Sequence, residues 1–271
     1  MHPSRPLVVH RQVVSRESLA ALAEGFPALS HYPGSQQYLG DSRRSSDEID
    51  MSLTIVCFCG YFCNNSMQWR SQDFDSYKWV QALKGRELNK YALVPVNGVK
   101  KRLSNDNLAD AVKWFGIFVG DYLKKQGTNG PFLVVPVPNS DCVASSTKKP
   151  RTRRLAKAIC DTLDDGSTVL DCLRCKKDLG SASEDGGPRE TAILYRNLVT
   201  LEDALKDADD DLSVLLVDDV TTSGGHLQAC AAKLDSKGLT VDIVMCGGKT
   251  VYDQNNAAFH IYEYTLDEYE P

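Results

Sequence analysis

Residues 214–226 read VLLVDDVTTSGGH. Four apolar residues run into two adjacent carboxylates, Asp218 and Asp219, and then into a Thr/Ser/Gly turn ahead of a helix-like stretch. A fully apolar run of this length reads as a strand buried on both faces, the condition of a parallel sheet covered by helices. Such a strand delivers its acids to the carboxyl edge of the sheet, where open α/β folds bind ligands. Thr221, Thr222, Ser223, Gly224 and Gly225 then turn at the start of a helix, whose backbone N–H groups and dipole favour a phosphate. Carboxylates repel phosphate and suit sugar hydroxyls, or a divalent cation held through water. The segment therefore predicts one pocket for a sugar and its phosphate. The plainer alternative, a capping turn with incidental acids, leaves two strand-end carboxylates without a partner, which burial penalises.

Outward from this segment the chain alternates. Residues 132–137 (FLVVPV) predict a short apolar strand, 152–163 a helix, 168–172 a strand, 226–234 a helix, 239–246 a strand and 259–265 an edge strand. This alternation indicates an α/β fold with a parallel sheet flanked by helices. Upstream, 53–62 reads as a buried strand and 77–83 as a helix. Leu108, Ala111, Trp114, Phe115, Phe118 and Tyr122 set out a helical stripe over 106–125, with Ser104 in position to cap it. The expected organisation is a poorly structured N-terminal extension over 1–50, a helix-and-strand segment over 51–130 packing on the core, and the core itself over 131–271. Within the extension, 18–26 has the spacing of a short helix and 41–50 reads as a solvated linker.

Composition limits the function classes. The 271 residues hold 31 Lys+Arg against 36 Asp+Glu, a net charge of −5, which argues against a dedicated duplex-DNA binder. Hydrophobic residues at 42 % and charged residues at 25 % are ordinary globular values. Nine cysteines form no even, secreted framework, and no secretory signal is visible, so a reducing, cytoplasmic setting without a membrane span is expected. Cys172-Leu-Arg-Cys175 is a lone C-x-x-C with no second pair, and Cys57 and Cys59 read as small core residues.

A second anion site is suggested upstream of the acids. The strand VVPVP (134–138) leads through a polar loop to Lys148, Lys149 and Arg151 at the start of a helix. Taken alone, such a cluster reads equally as a solvated helix start or a nucleic-acid patch.

The 214–226 segment closely resembles the phosphoribosyl pyrophosphate (PRPP) signature of the type I phosphoribosyltransferases. VVPVPNS (134–140) with RTRRLAKAI (151–159), YKWVQALKGR (77–86) and Arg196–Asn197 resemble the ComF-like branch, named for a protein of DNA-uptake competence. The likeness covers about residues 75–250. It implies a type I phosphoribosyltransferase-like parallel sheet with a flexible hood. It implies PRPP and Mg²⁺ as ligands, and transfer of a phosphoribosyl group to or from a nitrogenous base. By position Asp218 and Asp219 become the catalytic acids on the ribose. Thr221, Thr222, Ser223, Gly224, Gly225 and His226 become the 5′-phosphate loop, and Lys148, Lys149 and Arg151 the pyrophosphate site. The polar, glycine-containing excursion over 176–197 becomes the hood, with Arg189, Arg196 and Asn197 as its candidates. Lys249 becomes a base contact. His226 departs from the Thr or Ser common at the loop's last place; its imidazole can donate to phosphate and adds charge when protonated. Cys57-Phe-Cys59-x-x-x-Cys63 lacks the paired spacing of the zinc ribbon common in that branch, and no metal ligand is assigned. The family is often dimeric, which makes a homodimer the expectation. Two alternatives stay open: a non-catalytic PRPP or nucleotide sensor, and a DNA-handling accessory of the ComF-like type.

Overall fold

The computed structural model describes residues 52–180, 190–206, 208–209, 212–267, 269 and 271. The expected extension over 1–50 with its helix and linker, and the hood candidate Arg189, lie outside the described residues.

Among the described residues, ten strands and six α-helices follow in order. They are β1 (Ser52–Phe62), α1 (Ser71–Leu83), β2 (Ala92–Val96), β3 (Val99–Leu103), α2 (Asp110–Lys125), β4 (Phe132–Pro136), α3 (Arg153–Leu163), β5 (Thr168–Val169), β6 (Leu173–Cys175), α4 (Thr191–Asn197), β7 (Leu198–Thr200), α5 (Glu202–Leu205), β8 (Ser213–Thr221), α6 (Gly225–Asp235), β9 (Val241–Val251) and β10 (Tyr262–Asp267). Six of the strands make one sheet in the order β10-β1-β9-β8-β4-β5. All its pairs are parallel except the edge pair of β10 with β1. The fold is thus a mixed α/β layer structure with a mostly parallel central sheet flanked by helices.

Strand side chains alternate between two cores. Phe132, Val134, Leu215, Val217 and Met245 face α1, α2 and α3 together with the β2–β3 hairpin. Leu133, Val135, Val214, Leu216 and Val244 face α6 on the other side. Both faces are covered, which is why these strands read as unbroken apolar runs. Among the described residues no helix is long and apolar enough to cross a membrane.

Several expectations change on contact with the structure. β1, from the expected helix-and-strand segment, lies between β9 and β10 in the main sheet. Ser104 precedes a separate 3₁₀ turn, Asn105–Asn107, donating its backbone N–H at 2.8 Å and its hydroxyl at 3.2 Å to Asn107 Oδ1, and the α-helix starts at Asp110. α1 begins six residues before the expected 77, because Asp73 accepts the Arg70 backbone N–H at 2.8 Å and closes the first turn. The expected strand over 168–172 keeps only Thr168–Val169, the chain then leaving the sheet for β6. The polar, glycine-containing excursion over 176–197 is flanked by the antiparallel pair β6 and β7 and ends in α4.

Candidate active site

The sheet order fixes where a ligand can enter. From β4 the chain passes through α3 to β5 at the edge. From β8, β4's neighbour on the other side, it passes through α6 to β9. α3 and α6 lie on opposite faces. The turns that leave β4 and β8 therefore diverge and open a crevice at the carboxyl ends of the strands, the switch point of an open α/β sheet. A cavity of about 370 Å³ occupies it. The turn after β4 (Val137 to Asp141) lines one side and the run from Asp218 to Leu227 the other, with hood residues such as Leu179 and Leu194 above.

The acid pair is asymmetric. Asp219 is 3 % exposed and is clasped by Arg151, whose Nε donates to Oδ2 at 2.8 Å and whose terminal nitrogen lies 2.7 Å from the same oxygen. The Arg151 backbone N–H in turn donates to Asn139 Oδ1 at 2.9 Å, and Thr152 Oγ1 donates to the Val137 carbonyl at 2.6 Å. These bonds lock the start of α3 to the turn after β4. Asp218 accepts the backbone N–H of Asp219 at 2.8 Å and has no cation of its own at ion-pair distance among the described residues. Burial, reinforced by the neighbouring Asp219 charge, pushes the Asp218 carboxyl up to about 8, so it holds a proton at neutral pH.

The turn that follows has the shape of an anion cradle. Gly224 adopts φ +86° as the N-cap of α6, and a Cβ there would stand 2.2 Å from Leu266 Cδ1. Only glycine meets both demands. Thr222 Oγ1 and Thr250 Oγ1 share a hydrogen bond at 2.9 Å. The first residues of α6, Gly225 to Leu227, line the cavity, which places the positive end of the helix dipole beside it. His226 enters this lining, but burial holds its imidazole down to about 4. The ring is therefore neutral at pH 7 and still offers one N–H.

The expected basic cluster divides. Arg151 lines the cavity. Lys148 pairs with Asp141 and Lys149 with Asp171, the latter at 3.5 Å, and neither lines the cavity. Asp171 also binds Arg153 at 3.4 Å and the buried Arg174 at 2.6 Å, so Lys149 is the third cation around one carboxylate. In the hood, Asn197 lines the cavity, but its amide is used on backbone: Oδ1 accepts the Lys177 N–H at 3.2 Å and Nδ2 donates to the Lys177 carbonyl at 2.9 Å. Arg196 donates to the Ala192 carbonyl at 3.1 Å and lies outside the lining. Lys249 sits within β9, not after a strand, and its ammonium rests 3.7 Å from the centre of the Tyr264 ring, again outside the lining. Lys84, Arg86, Asn139 and Asp178 line the cavity without having been singled out from sequence as site residues. Lys84 and Arg86 belong to the quoted stretch YKWVQALKGR, so a signal existed but carried no role.

All nine cysteines are free, and among the described residues no group of three His, Cys, Asp or Glu side chains is placed to hold a metal ion.

No protein-family model and no curated protein matches the sequence. Among solved structures the chain is similar to adenine phosphoribosyltransferase from Thermoanaerobacter pseudethanolicus, at 16 % identity and a TM-score of 0.35, over 63 % of this chain and 87 % of that one. It is similar to hypoxanthine phosphoribosyltransferase from Staphylococcus aureus at 12 % identity and 0.31, over 55 % and 78 %. It is also similar to adenine phosphoribosyl transferase from Trypanosoma brucei, solved with AMP, pyrophosphate and ribose-5-phosphate, at 13 % identity and 0.34, over 63 % and 65 %.

Proposed function

We propose that the chain binds PRPP in the cavity at the β4–β8 switch point and transfers its phosphoribosyl group to or from a nitrogenous base. One observation carries this reading: a carboxylate pair and a glycine-tight helix N-terminus line one cavity, opposite an arginine that already holds one of the acids. The resemblance of residues 214–226 to the PRPP signature supports it. The N–H groups of the 222–226 turn would take the 5′-phosphate, Asp218 and Asp219 the ribose hydroxyls, and Arg151 the pyrophosphate. Pairing of Lys148 and Lys149 with carboxylates favours a small ligand over a nucleic acid.

In the reaction, the bond from the anomeric carbon to the pyrophosphate oxygen breaks and its electron pair leaves with pyrophosphate. A bond to the base nitrogen forms, and the nitrogen's proton passes to solvent. The protein's task is to hold the ribose and to stabilise charge growing on the leaving group. Two hard carboxylates beside an anion cradle fit a Mg²⁺ that arrives on the ligand's phosphates, with Asp218 and Asp219 meeting its waters. When bound, that ion would supply charge neutralisation at the leaving group.

Calorimetric titration of the full chain with PRPP and Mg²⁺ tests the assignment. Wild type is expected to bind, and Asp218→Asn/Asp219→Asn to lose roughly a hundredfold or more in affinity, since two hydrogen-bonding carboxyl groups are removed. Unchanged binding by the double variant would end the assignment. Pyrophosphate release measured across purine and pyrimidine bases separates the enzyme from a sensor, which would bind PRPP without turnover.

A further inference from the structure

The C-terminal turn of α1 closes the side of the cavity that the sequence motifs leave open. Lys84 follows the last residue of α1, is half-buried and lines the cavity, with its ammonium 5.4 Å from the centre of the Tyr61 ring. Three contacts hold this turn in place. Arg154, at the start of α3, donates to the carbonyls of Ala82, at 3.3 Å, and Leu83. Gly85, at φ +76°, leaves room for the same guanidinium, which a Cβ would meet at 2.9 Å. Leu83 lies where a side chain at Gly247 would be, and the Asp219 carbonyl lies 2.7 Å from that same point. The end of α1 is thus keyed to the strand pair that carries the acids.

The charge at Lys84 is left over. Asp219 and Asp218 act on its ammonium through space, yet among the described residues no carboxylate stands within ion-pair distance of it. Lys148, Lys149 and Arg151 all have such partners. Burial lowers the Lys84 pKa, and the acids oppose that shift. A half-buried ammonium without a carboxylate partner, turned to a cavity beside an anion cradle, calls for an anion.

We infer that Lys84, brought by α1 from outside the PRPP-like segment, contacts the pyrophosphate moiety of the ligand and supplies the lysine charge that Lys148 and Lys149 spend on Asp141 and Asp171. The inference rests on the PRPP reading and adds a residue to it. Inorganic pyrophosphate, ribose 5-phosphate and PRPP, each with Mg²⁺, are titrated by calorimetry into the full wild-type chain, Lys84→Met and Lys84→Arg. Lys84→Met is expected to weaken pyrophosphate and PRPP roughly ten- to hundredfold, as loss of one charged hydrogen bond does. Ribose 5-phosphate is expected to change by less than about twofold, and Lys84→Arg to recover most of the loss because it keeps the charge. Pyrophosphate binding equal in wild type and Lys84→Met overturns the inference and leaves the PRPP reading standing. So does an equal loss for all three ligands, which marks a structural role. A wild-type chain that binds none of the three overturns the PRPP reading itself, and the inference with it.

Discussion

Asp218 and Asp219 are neighbours in sequence but differ in their surroundings. Arg151 pairs with Asp219, whereas the Asp218 carboxyl, half-buried beside it, is pushed up to about 8. A protonated carboxyl can still accept a ribose hydroxyl through its carbonyl oxygen, but the ionised form accepts more strongly. A ribose held by Asp218 is therefore expected to favour loss of its proton. Affinity is expected to rise with pH, by at most about tenfold per unit, and to level off above about 8. Calorimetry at pH 7 in two buffers of different ionisation enthalpy should register release of up to about one proton per ligand, and Asp218→Asn should flatten the pH profile. Proton-neutral binding at pH 7 would remove this coupling. The sign for stability follows from the same shift. A raised carboxyl contributes stability that is complete at low pH and is lost as pH rises through about 8, whereas His226, held down to about 4, contributes above its ordinary pKa and loses that contribution as pH falls through 4.

At the scale of elements, the turn after β8 is held by a contact that spans the sheet. Gly224 joins β8 to α6 at φ +86°, and Leu266 of β10 fills the space above it. Gly224→Ala is expected to cost about 1–3 kcal/mol, from the positive φ and from the clash together. A double-mutant cycle in denaturant separates the two: Leu266→Ala should cost less in the Gly224→Ala background than in wild type. Equal costs would mean that the clash contributes nothing. The same turn shows how far local sequence reaches. The acids and glycines of 214–226 were legible because their chemistry depends on bonds within one strand, one turn and one helix start. The strands β4, β8 and β9 were legible for the same reason, through unbroken apolar runs. Lys148 and Arg151 look equivalent in sequence, yet Asp141 takes one and Asp219 the other. That division depends on distant carboxylates, as the placing of Lys84 depends on Arg154 and Gly247. The β2–β3 hairpin, missed altogether, has a solvent-facing second strand whose Lys100, Lys101 and Arg102 give no apolar alternation to read.

The whole molecule is organised by one sheet between two cores. β1 comes first among the described strands but pairs with β9 and β10, the last two. The first and last parts of the fold are therefore neighbours in the sheet, and neither core can be completed without strands from both. β8 shows the consequence within a single element: Leu215 and Val217 enter the core with α1, α2 and α3, while Val214 and Leu216 enter the core with α6. Trp79 and Trp114 lie in the first of these cores, and Trp69 packs on Phe62 and Tyr77, so all three tryptophans of the chain lie outside the α6 core. A cavity made in the α6 core should then be felt by fluorophores it does not touch. Leu216→Ala removes a fully buried side chain and is expected to cost about 2–5 kcal/mol. If the shared strands bind the two cores into one cooperative unit, the denaturant midpoint followed by tryptophan fluorescence should fall by the same amount as that followed by far-ultraviolet circular dichroism. A fluorescence transition that stays at the wild-type midpoint while the dichroism transition moves would show the two cores unfolding separately, and the sheet would then be a boundary between them and not the element that joins them.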